Sequence, residues 1–118
     1  MSKQIQLTRV IADFVNAVNE HNTAAFLTVF AENAIIFDEG HEYQGIAAIE
    51  EWNAEKNIGA KITLGPVDVT DRAGSVILTA EVDGNFDKTG LPDPFLMDLH
   101  FTVDKDRITS LKYSLAGE

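Results

Sequence analysis

Asp38 is the residue of this chain whose position best suits acid–base chemistry. It ends a short β-branched and aromatic stretch, Ala34 to Phe37, and precedes Glu39 and Gly40. A carboxylate at the end of an apolar strand can lie at the mouth of an apolar cavity, where it could take a proton from an acidic C–H or O–H group. The alternative is that Asp38 only starts its turn, where aspartate is favoured because it bonds to nearby backbone.

Asp98 and His100 are the second candidate pair for catalysis. They stand two residues apart in a predicted strand, so they share one face of it. In a pocket they could act as an acid–base or oxyanion pair. The apolar residues that alternate with them, Leu99, Phe101 and Val103, favour the opposite arrangement, with these three inside and the polar pair on an outer sheet face.

The remaining polar motifs do not define a site. His21 and His41 lie in predicted turns, and the three histidines lack the spacing of metal ligands. Tyr43 could donate a hydrogen bond into a pocket, or pack its ring and expose its hydroxyl. The chain has no cysteine, no phosphate loop, no dinucleotide glycine fingerprint and no Gly-x-Ser-x-Gly nucleophile motif. We therefore predict neither a metal site nor a cofactor.

Composition limits the partners. A chain of 118 residues is expected to form one domain, 1–118. Its formal charge of −10 disfavours nucleic acid and anionic membrane surfaces as partners. No apolar run approaches the ~18 residues of a membrane span, and the N-terminus lacks the apolar core of a signal peptide. These features favour a cytoplasmic location and a bacterial source.

Apolar spacing predicts three helices in the first half of the chain. In the first, apolar residues recur every three or four positions, as in an amphipathic helix. A short second helix follows a turn, and the third begins at Gly45 with Trp52 on its apolar face. The predicted ranges are 4–20, 24–30 and 45–57.

From Lys61 onward the apolar period is two, which predicts strands. Gly65 and Pro66 interrupt the alternation, as in a bulged strand. Short strands are also expected at 34–37 and 41–43, and the segment 87–94 is a loop by composition. Helices followed by a run of antiparallel strands indicate an α+β fold with a curved sheet and helices on its concave side.

This order of elements resembles the NTF2-like superfamily, and most closely its SnoaL-like and ketosteroid-isomerase-like branch. The resemblance covers nearly the whole chain and rests mainly on Phe30-Ala-Glu-Asn-Ala, on Asp38, and on Tyr43-Gln-Gly45-Ile-Ala-Ala-Ile. It implies a cone-shaped curved antiparallel sheet, closed by three helices around a deep apolar pocket. It also implies a homodimer formed through the outer face of the sheet.

Ketosteroid isomerases use an aspartate base and an oxyanion hole of a tyrosine and a protonated aspartate. The resemblance aligns the base with Asp38 and the tyrosine with Phe14, which has no hydroxyl. The second aspartate falls on Asp98, or on Leu99 after a one-residue shift. The missing hydroxyl argues against classical ketosteroid isomerase activity.

The same resemblance implies a ligand pocket lined by a subset of the apolar residues. Two functions follow from it as expectations. One is an isomerase- or cyclase-like proton transfer on a small hydrophobic molecule, with Asp38 as base and Asp98 and His100 as further catalytic candidates. The other is a non-catalytic small-ligand-binding or dimerisation module. The expected lining residues are Phe14, Val18, Phe26, Phe30, Tyr43, Trp52, Leu99 and Phe101.

Overall fold

The computed structural model describes residues 7–86, 89–91 and 94–116. Three α-helices come first in these ranges, α1 (Arg9–Asn19), α2 (Thr23–Thr28) and α3 (Ile46–Trp52), and a π-helical segment (Asn53–Ile58) continues α3. Six strands form one sheet. Their bounds are β1 (Phe30–Asp38), β2 (His41–Gln44), β3 (Thr63–Arg72), β4 (Ser75–Asp83), β5 (Leu96–Asp104) and β6 (Arg107–Leu115).

The sheet has the order β2-β1-β6-β5-β4-β3. All neighbouring strands are antiparallel except β1 and β6, which run parallel, with Ile35 opposite Ser110 and Ile36 opposite Leu111. The predicted α+β fold with a curved sheet is therefore confirmed, but the sheet is mixed rather than purely antiparallel. A parallel pair between distant segments leaves no local sequence pattern, because it needs no turn to join its strands.

Helix α1 covers one face of the sheet with its apolar stripe. Its buried residues recur at helical spacing, and its C-terminal end is tied to the edge strand β3. Asn19 donates from Nδ2 to the carbonyl of Leu64 (3.0 Å) and accepts at Oδ1 from the Leu64 N–H (2.7 Å). His21 Nε2 lies 3.1 Å from the carbonyl oxygen of Ile62. These contacts occupy edge groups of the sheet that would otherwise need another partner.

The predicted bulge in β3 is confirmed. The register between β3 and β4 shifts between Pro66 and Asp68, and Val67, the extra residue, is 47% exposed. Beyond it, Val76, Leu78, Ala80 and Val82 of β4 all face the core, as their alternation predicts. A bulge increases local twist, which helps the sheet to curve around the helices.

Several predicted boundaries differ from those observed. The predicted first helix starts at residue 4, which lies outside the described residues, and the described helix begins at Arg9. Phe30 was expected at the end of the second helix; it instead starts β1, which is longer than the predicted strand. Residues 87, 88, 92 and 93 of the predicted loop also lie outside the described ranges. Helix ends are set by tertiary contacts as well as by propensity, so short elements are the least well bounded.

Candidate active site

Asp38 lies at the last position of β1, on the face that carries the core. Ile36 and Leu111 are opposite each other in the parallel pair and both are buried. Two residues further along each strand stand Asp38 and Tyr113, which therefore point to the same side of the sheet as that pair. Tyr113 is also opposite the buried Leu99 of β5. The carboxylate and the phenol thus meet at one end of the core face.

The side chain of Trp52 holds the Asp38 carboxylate. Its indole Nε1 donates a hydrogen bond of 3.0 Å to Asp38 Oδ2. Trp52 ends helix α3 and is 2% exposed, so its ring is fixed in the core. Among the described residues no other side chain donates to Asp38, which leaves the second carboxylate oxygen available to a ligand. Asp38 itself is half-buried.

Tyr113 completes this cluster. Its ring centroid lies 5.6 Å from that of Trp52, at an interplanar angle of 42°. Tyr113 is half-buried, and desolvation by its surroundings raises its pKa well above the usual range, with the negative charge of Asp38 raising that pKa further. The phenol therefore stays protonated and can donate a hydrogen bond. We call Asp38, Trp52 and Tyr113 the carboxylate cluster.

Most of the residues expected to line a ligand pocket are packed against one another. Phe14 lies 5.5 Å from Phe26, 6.2 Å from Phe30 and 5.0 Å from Phe101 between ring centroids. Phe26 in turn stacks on Trp52 at 6.2 Å. Val18 and Leu99 are also buried in the same core. These rings form a continuous aromatic cluster from β5 to the carboxylate cluster.

Tyr43 lies on β2 opposite Ile36 and is half-buried against the core. It therefore shares the core face with Asp38, at the neighbouring strand. His41, opposite Asp38, is exposed.

Asp98 and His100 lie on the other face of the sheet, away from Asp38. Asp98 Oδ1 accepts a 2.5 Å hydrogen bond from Thr79 Oγ1, and His100 Nε2 is 3.0 Å from Ser114 Oγ. Leu99, between them, is fully buried on the core face. The strand register therefore brings Leu99, not Asp98, to the side of Asp38.

Sequence reasoning missed Tyr113. The available signal was the alternation of Leu111 and Tyr113 in the last strand, which places both on one face. Its proximity to Asp38 depends on the parallel register of β1 and β6, which that alternation does not contain.

A separate cavity of about 400 Å³ lies at the opposite end of β1. It is lined by the start of α1, the end of α2 and the turns of the β3–β4 and β5–β6 hairpins, with Arg9, Asp13, Asp71 and Asp106 among its residues. Arg9 Nε and Asp13 Oδ2 are 4.0 Å apart, and both side chains are mostly exposed. The described residues include no cluster of three or more histidine, aspartate or glutamate side chains suited to a metal ion.

The fold and the chain's sequence define its family. Residues 11–111 match the SnoaL-like domain family, and the chain belongs to that family. No curated protein sequence matches the chain. None of the helices in the described ranges is long and apolar enough to cross a membrane.

Solved structures with the same fold include proteins with different described roles. A candidate polyketide cyclase from Sinorhizobium meliloti is 27% identical, with a TM-score of 0.83 over 92% of this chain and 95% of that one. A protein of ketosteroid isomerase-like fold from Catenulispora acidiphila, in complex with trimethylamine, is 19% identical, with a TM-score of 0.78 over 95% and 88%. The Orange Carotenoid Protein of Anabaena, which binds canthaxanthin, is 14% identical, with a TM-score of 0.80 over 100% of this chain and 39% of that one. The last two similarities are evidence of fold alone.

Proposed function

We propose that this protein binds a small hydrophobic carbonyl compound at the carboxylate cluster and catalyses a cofactor-independent proton transfer, as in isomerase- or cyclase-like reactions. The observation that carries the proposal is the hydrogen bond from Trp52 to Asp38 beside the protonated hydroxyl of Tyr113. A fixed carboxylate and a phenol donor on one apolar face are the two groups that enolisation requires.

In the proposed step, the free oxygen of the Asp38 carboxylate removes a proton from the carbon next to the carbonyl. The electron pair of the broken C–H bond moves into the new C=C bond, and the carbonyl oxygen gains negative charge. The Tyr113 hydroxyl donates a hydrogen bond to that oxygen. Asp38 then returns the proton to carbon, either at the same position or further along the conjugated system, and the carboxylate is regenerated.

Trp52 acts as a positioning residue in this proposal. Its Nε1–H occupies one carboxylate oxygen and so orients the other. The described role of the Sinorhizobium meliloti relative, a candidate polyketide cyclase, supports carbonyl compounds as the substrate class.

The test is hydrogen–deuterium exchange at the α-carbon of 1-tetralone, an apolar ketone, followed by NMR in deuterated buffer. We expect the wild type to accelerate exchange and Asp38→Asn to reduce that acceleration by about 100-fold or more, the usual contribution of a general base. Asp98→Asn, which makes the same charge change on the other sheet face, is the matched control and should exchange at the wild-type rate. Wild-type exchange by Asp38→Asn, or none by the wild type over a set of cyclic ketones, would refute the catalytic proposal.

The packed aromatic cluster favours a second candidate function, a non-catalytic ligand-binding or dimerisation module. Phe14, Phe26 and Phe30 are at most 1% exposed, which leaves no room for a large substrate beside them without movement. The outer sheet face, with Asp98 and His100 half-buried, is the proposed homodimer surface. Binding of apolar ligands without any exchange, together with a dimer in sedimentation experiments, would favour this function. The cytoplasmic location and bacterial source stay predictions.

A further inference from the structure

Two asparagines are buried in the core of this protein. Asn53 is 2% exposed and Asn57 is 4% exposed. Among the described residues, these two are the polar ones that are buried. Asn57 Nδ2 donates a 2.9 Å hydrogen bond to Asn53 Oδ1. The Nδ2 of Asn53 is inaccessible to solvent and has no acceptor among the described residues.

An unpaired buried amide is unfavourable for folding. The N–H groups lose their hydrogen bonds to water on burial and gain none in return. Native proteins contain few such groups, and those present call for a ligand, an ordered water or a functional role. A leucine at position 53 would have the same branched shape without this cost, so the amide is unlike an ordinary core residue.

The position of Asn53 connects it with the carboxylate cluster. It directly follows Trp52, whose indole holds Asp38, and it starts the π-helical segment. Ile49, Trp52 and Asn53 are all buried, so the Asn53 amide, like the Trp52 ring, lies in the protein interior. π-Helical turns often occur at functional sites, because the extra residue redirects side chains.

We propose that Asn53 Nδ2 donates a hydrogen bond to an acceptor oxygen of the ligand, and that this bond selects ketones and esters over hydrocarbons of the same shape. The inference rests on the proposed function and adds a specificity-determining residue to it. Asn57 positions the Asn53 amide, because its own Nδ2 occupies Asn53 Oδ1 and so fixes which way the amide faces. Binding would give the unpaired N–H its acceptor.

The test compares 1-tetralone with tetralin, the hydrocarbon of the same shape without the carbonyl oxygen. Trp52 is the single tryptophan of the chain, so quenching of its fluorescence reports ketone binding, and tetralin is measured by competition. We expect the wild type to bind the ketone more tightly than the hydrocarbon. In Asn53→Leu, the ratio of the two dissociation constants should shrink by about fivefold, which corresponds to one hydrogen bond. Asn16→Leu, at an exposed position of α1, is the control and should keep the wild-type preference.

A second variant covers the possibility that Asn53→Leu destabilises the fold by leaving Asn57 unpaired. In Asn53→Leu/Asn57→Leu both amides are removed together, and we expect a melting temperature at or above that of the wild type with the ketone preference lost. An unchanged ketone preference in either folded variant would overturn the inference, as would failure of the wild type to bind 1-tetralone. A lower melting temperature with unchanged preference would assign the pair to the fold and also overturn it.

The two proposals fail separately. Exchange that needs Asp38 together with a ketone preference that ignores Asn53 would leave the proposed function intact and remove this inference. A preference that depends on Asn53 without any exchange would keep the ligand contact and remove the catalytic step.

Discussion

Trp52 links the candidate base to the core at the scale of single residues. Its indole nitrogen donates a hydrogen bond to Asp38, while its ring packs against those of Phe26 and Tyr113. The polar group of the site is thus fixed by a residue whose own position is set by apolar packing. Such support is needed to keep a catalytic group in a productive geometry.

The pKa of Tyr113 can be measured directly. The difference in tyrosinate absorbance between the wild type and Tyr113→Phe isolates this residue from Tyr43, the other tyrosine. We expect ionisation of Tyr113 in the folded protein only well above pH 10, the usual value for tyrosine, since burial and Asp38 both oppose it. Asp38→Asn should lower this pKa part of the way, because it removes the charge and leaves the burial.

The same shift has a consequence for stability with a definite sign. The folded state keeps the Tyr113 proton to a higher pH than the unfolded state does. Its contribution to stability is therefore fully present below about pH 10 and is lost as pH rises through the raised value. Above about pH 10, we expect the free energy of unfolding to fall more steeply with pH in the wild type than in Tyr113→Phe. Only the wild type has this hydroxyl and so loses its contribution. Equal pH profiles for the two proteins would mean that the hydroxyl is not buried.

Some of the residues around the candidate site could be predicted from the sequence and others could not. Asp38 could be singled out as a candidate because an acidic residue at the end of an apolar strand is a local pattern. Tyr113 could not be predicted, since its place beside Asp38 depends on the register of two distant strands. Asn53 could not be predicted either, since its burial depends on which face of the helix is turned inward. The exclusion of Asp98 from the core face did follow from alternation, because Leu99 and Phe101 are both buried.

At the scale of elements, the side chain of Asn19 links α1 to β3 by hydrogen bonds. Asn19 makes both of its hydrogen bonds to the backbone of Leu64, and Leu64 is 5% exposed. We expect Asn19→Ala to lower the free energy of unfolding by about 1–3 kcal/mol, because a buried N–H and C=O lose their partners. Asn16→Ala, one turn earlier in α1 and exposed, is the matched control in urea denaturation. Similar losses in the two variants would show that the Leu64 bonds contribute little.

Individual helices and strands were more predictable from the sequence than the features that form where they meet. The apolar stripe of α1, the bulge at Pro66 and the alternation of β4 are local patterns, and each is seen in the structure. The change from α-helix to π-helix at Asn53 is not visible in the sequence, because Trp52, Asn53 and Asn57 fit an ordinary helical spacing. The cavity near Arg9 was also missed, since it forms where four separate elements meet.

At the scale of the whole molecule, the formal charge of −10 should oppose folding at low ionic strength. Most acidic residues in the described ranges are exposed, so their repulsion is screened within about 10 Å at 0.1 M salt. We expect the melting temperature to rise by several degrees between 10 mM and about 0.3 M sodium chloride. Choline chloride should act equally well, because screening depends on ionic strength. A rise with divalent cations alone would instead indicate a specific ion site.

The parallel pairing of β1 with β6 also determines when the candidate site can exist. Ile35 contacts Ser110, so every other strand lies between them in the chain, and this contact closes a very long loop. Contacts of such high sequence separation form late and slow folding. During synthesis, β1 must leave the ribosome and wait with one edge unpaired until β6 follows. We therefore expect Asp38 and Tyr113 to come together late in folding, because a nascent chain cannot form the carboxylate cluster before β6 has been synthesised.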